Sequence, residues 1–68
     1  MKATYRDQLY QAAARVLRRC ANGRFPVTAD VRFLRNALPL QTGMRPAELA
    51  GLIIWRIQAA AGDLDRAA

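Results

Sequence analysis

Two short breaks rich in glycine and proline constrain this chain most. Asn22-Gly23 followed by Pro26, and Pro39 followed by Gly43, cut 68 residues into three segments. Each segment carries apolar residues at helical spacing, and neither break leaves room for a central strand, because proline cannot donate to a sheet ladder. The pattern predicts an all-α fold: one three-helix domain over 1–68, with helices at about 5–21, 29–38 and 46–61 and a frayed tail over 63–68.

The first helix has its start and stop written locally. Thr4 can cap it, with Asp7 three residues on, close to a capping box and at the favourable end of the helix dipole. Asn22-Gly23 ends it, since glycine readily takes the left-handed conformation after a helix. At 100° per residue, Tyr5, Leu9, Ala12, Ala13, Val16, Leu17 and Cys20 share one broad face, while Gln8, Gln11, Arg15, Arg18 and Arg19 gather opposite. Thr28 and Asp30 open the second helix; Val31, Leu34 and Leu38 face inward, Arg32 and Arg35 outward, and Phe33 lies to one side. Pro46 suits the first position of the third helix, and Gly62 is read as its end.

The third helix is apolar on two sides. Leu49, Ala50, Ile53, Ile54, Ile57, Ala60 and Ala61 form a core stripe. Leu52, Trp55 and Ala59 fall together well off that stripe. A three-helix chain has too little material to surround such a helix, so Leu52, Trp55 and Ala59 are expected to form a partner interface. A second copy packed through this helix is the expected occupant, making the protein a homodimer. The apolar content of 53% is high for one small domain and points the same way.

Charge supplies the other signal. Ten arginines and one lysine against five carboxylates give +6, unevenly placed. Residues 1–24 carry +5, residues 25–45 carry +2 and residues 46–68 carry −1. The basic face is predicted to bind nucleic acid through phosphates, with Arg15, Arg18, Arg19, Arg32 and Arg35 as the contact residues. Lys2 and Arg24 could extend it.

Catalysis, metals and cofactors find no support in the residue types. There is no histidine and a single cysteine, so no zinc set and no base to activate a thiol. Cys20 sits on an apolar face and reads as structural. No small-molecule substrate is suggested. The longest uncharged apolar run, 49–55, is far too short to span a bilayer, and no signal-peptide pattern is present, so the expected compartment is the cytoplasm.

A helix-turn-helix reading fits poorly, because the third helix would have to offer polar side chains to base edges and instead offers Leu52 and Trp55. Two functions therefore compete. One is a small nucleic-acid-binding regulator. The other is an inhibitor or adaptor of mobile-element type, docking its third helix on an acidic or apolar surface of a larger host protein.

Overall fold

A computed structural model describes residues 4–41 and 43–67, with side chains as far as residue 60. Lys2 lies outside them. Three helices appear, α1 (Tyr5–Ala21), α2 (Thr28–Ala37) and α3 (Pro46–Ala67), and no strand is present among the described residues. The bounds of α1 match the expected ones, and α2 begins and ends one residue early.

The α1 start is a full capping box. The Asp7 backbone N–H donates to Thr4 Oγ1 at 3.1 Å, and the Thr4 N–H donates to Asp7 Oδ2 at 3.3 Å. Two of the orphan donors at the helix start are thereby satisfied. At the other end Gly23 takes φ +71°. Its N–H donates to the Cys20 carbonyl at 3.1 Å and the Arg24 N–H to the Arg19 carbonyl at 2.9 Å. This paired closure is a Schellman motif, which needs a residue content with positive φ.

Helix α1 is the central element: it packs most extensively on α3, next on α2, while α2 and α3 touch least. Its contribution to the core is small side chains, Ala12 and Ala13, together with Val16. Alanine at those positions lets the α3 backbone approach closely, where Leu49, Ala50 and Ile53 meet it; Leu34 closes the core from α2. Burying Leu34, Leu49 or Val16 contributes roughly 1.5–3 kcal/mol each. Phe33, at the side of α2, stands edge-on to Tyr5 with ring centroids 5.7 Å apart. Cys20 is half-buried against the core, less enclosed than its place on the apolar face suggested.

Two expectations about α3 need correction. The helix does not stop at Gly62 but runs through it to Ala67. A glycine inside a helix costs only about 1 kcal/mol relative to alanine, and Leu64, Arg66 and Ala67 after it are good helix formers with no proline to interrupt them. Residues 63–67 are thus helical, and residue 68 of the expected tail lies outside the described residues. The core stripe also ends early. Ile54 and Ile57 are half-buried and Ala60 is exposed, while the side chain of Ala61 is outside the described set. With 22 residues α3 is longer than α1 at 17 and α2 at 10, so its later turns have less of the chain to pack against.

Candidate functional site

The turn after α1 brings its basic residues to one place. Arg15, Arg18 and Arg19 from the helix, with Asn22, Arg24 and Val27 from the connection, line an open cleft of about 310 Å³. Each guanidinium is positioned differently. Arg15 makes a two-pronged pair with Asp30 at the start of α2: Nε donates to Oδ2 at 3.1 Å and Nη2 to Oδ1 at 3.0 Å. The planar fork of arginine fits a carboxylate in this way, and the pairing fixes its orientation. The hydrogen bond to Asp30 raises the Arg15 pKa further, against a smaller opposing effect of desolvation and with added attraction from the Asp30 charge.

Arg19 is held by the loop itself. Its Nε donates to the Phe25 carbonyl at 2.8 Å, which leaves its terminal nitrogens available for other acceptors. The Arg18 and Arg24 guanidiniums make no hydrogen bond or ion pair among the described residues. Because Asp30 balances Arg15, the uncompensated charge of the cleft comes from Arg18, Arg19 and Arg24. Arg18 and Arg19 occupy the last turn of α1, where the negative end of the helix dipole offsets part of their mutual repulsion.

The five arginines expected to act together are thus divided. Arg15, Arg18 and Arg19 share the cleft. Arg32 and Arg35 line a separate depression of about 310 Å³ with Thr28, Val31 and Asn36. Arg35 also donates from Nη1 to the Met44 carbonyl at 3.2 Å, tying α2 to the second connection. A further depression, beside the first, is lined by Tyr10, Gln11, Ala14, Arg15 and Arg18. Asp30 as the Arg15 partner and Tyr10 as a lining residue were not read from the sequence. The sequence places the acid in the first turn of its own helix, and no local spacing relates it to a residue fifteen positions earlier.

On α3, Trp55 is 65% exposed, while Leu52 and Ala59 are half-buried. Gly51 is open on the same side, with nothing within 4 Å of where a Cβ would stand. The sequence placement of Trp55 off the core stripe therefore agrees with its position in the fold. Among the described residues no helix is long and apolar enough to cross a membrane.

The chain matches no known protein family, no curated protein and no solved structure.

The Arg15–Asp30 pair predicts a small coupling between two helices. Arg15 is half exposed at 50%, with Asp30 at 14%, so solvent screening limits the pair to about 0.5–1 kcal/mol. A double-mutant cycle of Arg15→Ala and Asp30→Ala, read by urea unfolding, should return that coupling energy. Strict additivity of the two losses would mean that the pair does not hold α2 to α1.

Proposed function

We propose that this is a non-enzymatic nucleic-acid-binding regulator, acting in the cytoplasm, that contacts phosphates through the arginine cleft. The observation that carries the reading is the convergence of Arg15, Arg18, Arg19 and Arg24 on one depression, two of them oriented by internal hydrogen bonds. Guanidinium forks held in place lose less entropy on meeting a phosphate than free ones. The residues supply charge-assisted donors and no reacting group. Arg32 and Arg35, in their own depression, would add contacts along a longer strand.

The salt dependence of binding tests this. With about three phosphate contacts, from Arg18, Arg19 and Arg24, log K should fall against log salt with a slope near −2.7 on duplex or −2.1 on a single strand. Arg18 and Arg24 are the residues to replace, because neither guanidinium ties the fold together, and alanine keeps the backbone hydrogen bonds both residues make. The Arg18→Ala/Arg24→Ala double variant should flatten the slope by about 1.4–1.8 with an unchanged melting temperature. A slope that stays at the wild-type value removes the cleft from the account.

The exposure of Trp55 favours a second role for α3, as the surface through which two copies meet. Its near-neutral segment is where two strongly basic chains can approach with least repulsion. Burying Trp55 and Leu52 there would contribute about 3–5 kcal/mol per subunit before association costs. Wild-type protein should then sediment as a dimer and melt at a temperature that rises with concentration, and Trp55→Ala should sediment as a monomer. A monomeric wild type with concentration-independent melting excludes the homodimer and transfers the face to a different protein partner, as an inhibitor or adaptor would use it.

A further inference from the structure

The segment that closes the cleft carries an exposed aromatic ring. Phe25 is 92% exposed, the most exposed aromatic side chain of the described residues, and it lies between Arg24 and Val27, two residues that line the cleft. Its backbone is not loose. The Phe25 carbonyl accepts the 2.8 Å hydrogen bond from Arg19, the Schellman closure at Gly23 and Arg24 precedes it, and Pro26 with its locked φ follows. The segment that carries the ring is thus held in place on both sides of it while the ring itself stays in water.

A second aromatic stands on the other side of the same arginines. Tyr10 is 41% exposed and lines the neighbouring depression with Arg15 and Arg18, so these two guanidiniums belong to both depressions. Along α1 the rise from Tyr10 to Arg18 is ~12 Å at 1.5 Å per residue. Exposed aromatics thus stand at both ends of the arginine-bearing stretch, Tyr10 before it and Phe25 after it in the chain. Phosphate contact alone calls for no aromatic group, and in a duplex the base faces are already stacked on each other. Exposed rings alternating with guanidiniums are the arrangement that serves unpaired bases.

We infer that the nucleic acid taken by this cleft is single-stranded, with a base stacked on Phe25 and the adjoining phosphates held by Arg18, Arg19 and Arg24. This rests on the phosphate-binding reading and narrows it to a ligand class. Tyr10 offers a second stacking position along the same strand. Since every base has a π-face, the selection is for strandedness and only weakly for sequence.

Fluorescence anisotropy with four ~12-nucleotide probes, a length within the site sizes of single-strand binders, tests it: oligo-thymidine, oligo-uridine, an abasic strand and a mixed-sequence duplex. Wild-type protein should bind both base-bearing single strands about tenfold more tightly than the abasic strand, the amount expected for one stacked base. Phe25→Ala, which removes an exposed ring and leaves the fold intact, should lose most of that preference, keeping only the part Tyr10 supplies, while holding its abasic affinity. Arg18→Ala/Arg24→Ala should weaken every probe alike. Should Phe25→Ala bind oligo-thymidine as wild type does, or should duplex bind as tightly as the single strands, the single-strand inference falls while phosphate binding stands. Absence of binding to all four probes at low salt overturns both.

Discussion

The chain reversal after α1 depends on Gly23, whose positive φ lets the backbone close on Cys20 and Arg19 and turn toward α2. Only this reversal sets Asp30 beside Arg15 and the Phe25 carbonyl beside Arg19. Both interactions span helix and loop, so the positions of the guanidiniums follow from where α1 stops. A side chain at Gly23 would meet no neighbour, yet would strain the left-handed backbone. The cleft is thus a consequence of a helix end, and its arginines serve partly as ties within the fold and partly as charge presented to solvent.

The core explains why the remaining surface looks as it does. Among the described residues seven are buried, three of them alanines on α1 and α3, so close helix approach contributes to the core alongside the larger side chains. A small core of that kind gives one extensive interface, α1 on α3, with α2 as a cover. Helix α3 outruns it. Its stripe is fully enclosed as far as Ile53 and partly so at Ile54 and Ile57, while Trp55 on its other side stays exposed. The basic cleft and the apolar α3 face are therefore two distinct surfaces produced by the same packing.

Much of this was legible in the sequence because it is local. The capping box at Thr4 and Asp7, the stop at Gly23, the start at Pro46 and the placement of Trp55 away from the core all depend on residues within a turn or two of each other. The division of the arginines was not legible, because the Asp30 partner of Arg15 and the Met44 carbonyl bound by Arg35 are brought near only by tertiary packing. At Gly62 a local rule misled: glycine permits a helix to end but does not compel it, and nothing after it breaks the helix. Ala60 misled for another reason, since helical phase says which way a side chain faces and says nothing of how far along the axis the neighbouring helices reach.

The most direct test of the account is a titration of isotope-labelled protein with a short unlabelled single strand, followed residue by residue through backbone amide and arginine side-chain resonances. The account predicts shifts concentrated at Tyr10, Arg15, Arg18, Arg19 and the segment Asn22 to Phe25, with the α3 resonances of Leu52 and Trp55 unmoved. Shifts centred on Leu52 and Trp55, or none on the α1 residues at saturating strand, would contradict it.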